Sequence, residues 1–335
     1  MHFHRLKRRE FIALLGGAAA AWPLGAHAQQ GDRVRRIGVL MVVAETDPDA
    51  KRFVQALETR LDAASWHKGR NLEITYRWGT DDSEQLTRYA NELALSAPDV
   101  LVVLGTAALI PMRKATTTIP IVFTVVSDPV AQGFVESLAH PGGNITGFSN
   151  FEPNIGSKWL QLLKEIAPSI AHVGVLFNPR TSPYNALWMQ SIETAAPGFG
   201  VSAAQLSVQD DEDIRRAIDI LGTKSGSGLI VPSDSFTFGR APMIASLAAT
   251  SRLPAVYAFP RFVHDGGLIS YGIDLVGQLG KAAAYVARIL KGEKAGELPV
   301  QGPTHYTMSI NLKTARALNL IIPATLLATA DEVIE

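Results

Sequence analysis

Cysteine is absent from all 335 residues. That absence excludes disulfides, thiol nucleophiles, thiolate metal sites and a lipid-modified N-terminal cysteine. Net charge is absent too, since 31 Lys and Arg balance 31 Asp and Glu. Without a basic excess there is no electrostatic footprint for nucleic acid or an anionic membrane surface. No apolar run reaches about eighteen residues, so nothing is long enough to span a bilayer. The motifs of common chemistries are missing as well. There is no G-x-x-x-x-G-K-[ST] phosphate loop, no H-E-x-x-H, and no G-x-G-x-x-G after the first strand. A G-x-S-x-G nucleophile elbow is also lacking. His67, His140, His172, His264 and His305 are scattered without an i, i+4 pair, which argues against a helical metal site. No pattern names a reaction, and neither a cofactor nor a metal is expected.

What is present begins at the N-terminus. Arg5, Lys7, Arg8 and Arg9 precede an uncharged run over 11–21, broken by Pro23 and Gly25 ahead of Ala26-His27-Ala28. Basic, apolar and small-residue parts in this order are the layout of an export signal, expected to be cleaved after about Ala28. Arg8-Arg9 followed by Glu10-Phe11-Ile12 also resembles a twin-arginine signal, although Lys7 and Ala13 depart from that pattern. The expected product is a free periplasmic protein with no direct membrane anchor. Its ~300 residues suffice for two ordinary domains.

Short β-rich apolar runs alternate with helical patterns along this mature part. Strands are expected at 36–43, 72–78, 100–105, 119–126, 145–148, 172–178, 202–208, 228–232, 254–259, 268–273 and 306–311. Several, such as Val100-Leu-Val-Val-Leu104, are continuously apolar, as strands buried on both faces are in parallel sheets. Phe53, Ala56, Leu57 and Leu61 share one face of a helix over about 49–64. Repeated β–α units predict a doubly wound α/β fold. So many strands exceed one comfortable sheet, and a new series opens near Ser157. The tail shows a helix over about 280–291, a polar link, then one strand and one helix. This order suggests two lobes, 31–147 with about 276–300 and 148–275 with about 301–335.

In open parallel sheets, ligands bind beyond the carboxyl ends of the strands, where helix N-termini present free N–H groups. Thr106 and Ala107 follow the 100–105 strand and either receive an anionic group or, for Thr106, cap their own helix. Ser127-Asp128-Pro129 reads as an N-cap followed by proline, which favours a helix-capping role for Asp128 and leaves Ser127 free to reach a cleft. Asn178, Asp234 with Ser235, Tyr257 and Gly272 end or nearly end later strands. Asp234 has no neighbouring proline to mark it as a cap, so it is a candidate partner for a ligand cation or a solvated turn residue. Tyr184 and Trp188, one helical turn apart, form either an aromatic wall or core packing.

Several segments carry a resemblance. Gly69-Arg70-Asn71-Leu72, Thr118-Ile119-Pro120-Ile121-Val122-Phe123, Ser127-Asp128-Pro129-Val130, Leu162-Leu163-Lys164-Glu165, Ala255-Val256-Tyr257 and Ile310-Asn311-Leu312-Lys313-Thr314-Ala315 resemble ABC transporter substrate-binding proteins of the tryptophan/tyrosine-binding (TrpX-like) type. The run from Ser137 to Gly147, above all Pro141-Gly-Gly-Asn-Ile-Thr-Gly147, is the most distinctive part. The resemblance implies a type 1 periplasmic binding protein, with two Rossmann-like lobes joined by three crossings and an interlobe cleft. It further implies capture of a small molecule, an amino acid or related carboxylate, for a membrane permease with a separate ATPase. Thr106, Ala107, Ser127 and Asp128 would face the cleft from the first lobe, and Asn178, Asp234 and Tyr257 from the second. Besides a structural interaction module, which the cleft-type loop chemistry counts against, two other readings stay open at this point. One is a ligand-sensing subunit for a membrane receptor. The other is an exported glycosyltransferase-like enzyme, in which Arg240 and Arg261 would meet a diphosphate.

Overall fold

The structure is a computed structural model that describes residues 33–150, 152 and 154–335. The export signal expected over 1–28 lies outside the described residues. The first series of elements runs β1 (Arg35–Met41), α1 (Ala50–Ala63), β2 (Leu72–Trp78), α2 (Ser83–Leu95), β3 (Val100–Leu104), α3 (Thr106–Ala115), β4 (Ile121–Val126) and β5 (Ile145–Ser149). Its strands form a parallel five-stranded sheet in the order β2-β1-β3-β4-β5.

The continuous apolar runs have a direct cause. In β3, Leu101 and Val103 pack with Leu86, Leu93, Leu109 and Met112 on one face. Val100, Val102 and Leu104 point the other way, into the cluster that holds Phe53, Leu57 and Leu61. Helices cover both faces, so neither parity can be polar.

The second series runs α4 (Ile155–Ile166), β6 (His172–Phe177), α5 (Asn185–Ala195), β7 (Ser202–Ser207), α6 (Asp211–Gly222), β8 (Ser227–Val231), α7 (Ser235–Phe238), α8 (Ala241–Thr250), β9 (Ala255–Tyr257), α9 (Pro260–His264) and β10 (Ile269–Ile273). The chain then makes α10 (Leu275–Leu290), β11 (Tyr306–Asn311), α11 (Leu312–Ala317), α12 (Ala324–Thr329) and β12 (Glu332–Ile334). The second sheet has seven strands in the order β12-β11-β10-β9-β8-β6-β7.

α10 packs along α1 and against β3, β4 and β5 of the first sheet. It buries Leu279, Ala282, Ala283 and Val286 there. The helix starts five residues earlier than its periodicity suggests, because Asp274 caps it by accepting from the N–H of Gly277 at 2.9 Å. Gly277 and Gly280 otherwise read as breakers. The 141–147 motif receives the segment that follows α10: the Gly142 N–H donates to the Gly296 carbonyl at 3.3 Å, and Thr146 Oγ1 donates to the Leu298 carbonyl at 2.6 Å. β11 enters the second sheet from the cleft side, where β10 has just ended, so the two run antiparallel. Three crossings therefore join the bodies, after β5, after β10 and before β11. β12, three residues with an acidic start, completes the sheet beside β11.

Candidate functional site

The carboxyl ends of both sheets meet around a narrow, largely apolar cavity. The first lobe contributes Val42, Val43, Phe53, Leu104 and Val125 as an apolar wall. Phe238 and Phe259 face it from the second lobe, edge to face at 5.4 Å. Leu275, first residue of α10, closes the hinge side.

Polar groups come from two βα junctions. In the first lobe, β3 passes into α3 through Gly105, whose φ of 91° is left-handed and suits glycine. Gly105 is the N-cap and offers no side chain, so the first turn of α3, with Thr106 and Ala107 in the cavity wall, has no side-chain cap. Such a bare helix start attracts anions.

In the second lobe, Ser233, Asp234 and Ser235 line the cavity at the start of α7, with Thr181 and Tyr184 beside them. Asp234 is 2% exposed. One of its oxygens accepts from the Phe236 N–H at 3.0 Å and from Thr181 Oγ1, and the other accepts from the Asn178 N–H at 2.8 Å. Burial pushes its pKa up to about 6, against the pull of these three donors. The group is thus predominantly anionic at neutral pH, and among the described residues no cation pairs with it. The buried Oγ of Ser235 has no hydrogen-bond partner among the described residues.

A relay of hydrogen bonds connects the two junctions through the first crossing. The Ser127 N–H donates to Thr106 Oγ1 at 3.3 Å, and Ser127 Oγ donates to Asn150 Oδ1 at 2.8 Å. Asn150 Nδ2 in turn donates to Ser233 Oγ at 3.0 Å. Two arginines also span the cleft with ion pairs. Arg261, on α9, reaches Asp47 at 3.0 Å and Asp49 at 3.5 Å in the β1–α1 loop, and bonds Asp265 on its own lobe at 2.5 Å. Arg240 reaches Asp81, after β2, at 2.9 Å and Asp211 at 2.6 Å. Both arginines considered for a diphosphate are thus engaged by carboxylates, and neither lines the cavity.

Of the residues named from sequence, Thr106, Ala107, Asp234 and Ser235 share the cavity wall. Ser127 and Asn178 lie one layer behind, the first holding Thr106 and the second holding Asp234. Asp128 requires a correction, because no helix follows it. It adopts a left-handed φ of 38° and closes a turn by accepting from the Ala131 N–H at 3.0 Å. It faces a separate surface groove with Asn154 and Ser157. Asp234 is a cap after all, and that role buries it in the wall instead of leaving it in a solvated turn. Tyr257 is fully buried, stacked on Phe262 at 4.7 Å, and does not reach the cavity. Gly272 is a packing glycine, since a Cβ there would lie 1.8 Å from the Ala258 carbonyl oxygen. Of the aromatic pair, Tyr184 lines the cavity, whereas Trp188 packs edge-on between Tyr184 and Trp159. The apolar wall carried no separate signal, because each of its residues reads as ordinary core.

The model of a family described as ABC transporter substrate binding protein matches residues 36–334. A tyrosine-binding protein of Clostridioides difficile (strain R20291) is 27% identical over 289 residues, covering 85% of this chain and 81% of the relative. Among solved structures, an ABC domain in complex with L-Trp from Streptococcus pneumonia aligns with a TM-score of 0.81 and 23% identity, over 90% of this chain and 99% of that one. The ligand-free, open structure of a substrate binding protein with adhesive properties from Clostridium difficile aligns with a TM-score of 0.67 and 25% identity, over 90% and 99%.

Proposed function

Since the chain belongs to the ABC transporter substrate-binding protein family, we propose that it captures a zwitterionic amino acid with an apolar side chain between its two lobes. The observation that carries this reading is Asp234, a buried anionic carboxylate without a cation, in the same cavity as the uncapped start of α3. An α-ammonium would pair with the first and an α-carboxylate with the second. The Val42, Phe53, Phe238 and Phe259 surfaces would take the side chain. Relatives named for tyrosine and tryptophan support the same class.

Capture couples to closure because neither lobe alone supplies both poles. A ligand that touches both stabilises the closed arrangement by the contacts only that arrangement makes. The cross-cleft ion pairs and the nearer match to the L-Trp complex than to the open, ligand-free structure support reading the present arrangement as closed. The closed form would then dock on a membrane permease whose separate ATPase supplies the energy. Delivery outside the cytoplasm after signal cleavage belongs to the same proposal. No helix among the described residues is long and apolar enough to cross a membrane.

Calorimetric titration with L-tryptophan, L-tyrosine and L-phenylalanine tests the reading, with indole-3-propionate as a control that keeps the carboxylate and lacks the ammonium. Binding of the amino acids with loss of the control is expected. Equal affinity for the control would remove Asp234 from its role, and no binding by any amino acid would overturn the proposal.

A further inference from the structure

One wall of the cavity breaks the strand pattern. β4 pairs with β5 in register through Thr124 opposite Phe148, and then the register jumps, with Val126 opposite Ser149. Val125 is the extra residue, left out of the ladder as in a β-bulge. Its φ is 59°, in the left-handed region, where a β-branched residue is a genuine outlier. Its side chain nonetheless lines the cavity. The displaced Val125 N–H donates to Gln278 Oε1 at 3.3 Å, and Gln278 Nε2 donates to the Ser149 carbonyl at 3.0 Å. Gln278 is 6% exposed, on the first turn of α10, just past the second crossing. An uncharged amide, acceptor at one atom and donor at the other, answers both backbone groups at once.

Unfavourable backbone conformations persist where surrounding contacts over-determine them, and they gather at ligand sites. We propose that Val125 is a specificity-determining wall of the ligand cavity and that Gln278 is the positioning residue that holds its bulge. The bulge advances two methyl groups into the space that a ligand side chain would fill. The specificity half rests on the proposed amino-acid function, whereas the positioning half does not.

Val125→Gly and Val125→Ala are compared first. At an ordinary strand position glycine is the less stable of the two. At this φ the order reverses, so the glycine variant should melt at the higher temperature. A higher melting temperature for the alanine variant would overturn the left-handed wall. In titrations with L-phenylalanine and L-tryptophan, Val125→Gly should move the affinity ratio towards the bulkier ligand by about tenfold. An unchanged ratio would remove Val125 from specificity. Hydrogen exchange addresses Gln278 without any ligand. Gln278→Met, which keeps the shape and loses both polar atoms, should speed exchange over 121–128 by about tenfold or more, with β1 to β3 unaffected. Exchange equal to the parent would overturn the positioning role. Gln278→Glu guards against a variant that fails to fold, because its neutral form has the same donor and acceptor. Protection relative to the parent at each pH should return as the pH falls, and its failure to return would also overturn the role. If no amino acid binds the parent, the proposed function fails, while exchange still decides the fate of Gln278 and the melting order that of the left-handed Val125.

Discussion

At the end of β3 the chain turns into α3 through Gly105, and at the end of β8 it turns into α7 at Asp234. Both junctions lie at the cleft end of a parallel strand, and both open a helix towards the same cavity. They carry opposite charge. Glycine as N-cap leaves the first turn of α3 without a side-chain acceptor, so the positive end of the helix faces the cavity. Aspartate as N-cap takes up the Phe236 and Asn178 amides and adds a full negative charge. The same βα geometry turns a positive or a negative pole towards the cavity according to one cap residue. The second layers differ accordingly. Thr106 is steadied by a neutral relay through Ser127, while Asp234 needs three donors to remain ionised in a buried place.

The sharpest way to break this pairing is Asp234→Asn. Removing the anion should weaken an amino-acid ligand by about 2 kcal/mol or more, as expected for a buried charge pair. Calorimetry checks this, and an unchanged affinity would remove Asp234 from the site. The pH dependence carries a second signature. The folded-state pKa of about 6 lies above the ordinary carboxylate range. Asp234 therefore adds to apo stability most fully below about pH 4, and this contribution is lost as the pH rises through about 6. Affinity for an ammonium runs the other way and falls as the pH drops through about 6. Thermal melts and titrations of the parent should show these opposed trends, and the variant should lose both.

Ala107→Asp attacks the other junction. A carboxylate in the first turn suits the α3 dipole by about 0.3–1 kcal/mol, so the melting temperature should hold or rise. The ligand carboxylate would be repelled, and affinity should fall about tenfold or more. Equal affinity would show that the ligand's acid group does not sit at α3.

Arg261→Ala tests the closure that brings the junctions together. It leaves Asp47, Asp49 and Asp265 facing one another without their cation, with the arginine side chain originally only 12% exposed. A larger radius of gyration by X-ray scattering and an affinity loss of about 1–3 kcal/mol are expected. Arg240→Ala should do less. That side chain is 26% exposed and bridges more solvated carboxylates, so about 1 kcal/mol or less is expected, vanishing in high salt. A salt titration of binding distinguishes the two.

Much of the fold was legible because burial on two faces writes itself as unbroken apolar runs. β2 and β11 begin and end where their patterns predict. β12 left no such trace, since Glu332 opens a three-residue strand at the sheet edge. Asp128-Pro129 misled because a cap signature is also a turn signature, and the chain needs a turn there before Gly133. The polar half of the site was partly legible, as hydroxyls and carboxylates at strand ends stand out. Its apolar half was not, because Phe53 and Phe259 fit a core face as well as a cavity wall. Depth was illegible for a similar reason. Tyr257 sits two residues before Phe259, yet the first is sealed within the lobe and only the second meets the cavity.

The late return of α10 has a consequence for synthesis. The parts of β3, β4 and β5 and the flank of α1 that α10 covers stay open until Leu279, Ala282, Ala283 and Val286 have emerged. A nascent chain therefore completes the packing of its leading half only near the end of translation, and carries open apolar surface there until then. A stop codon shortly before residue 275 would leave that half bare, despite touching none of its strands.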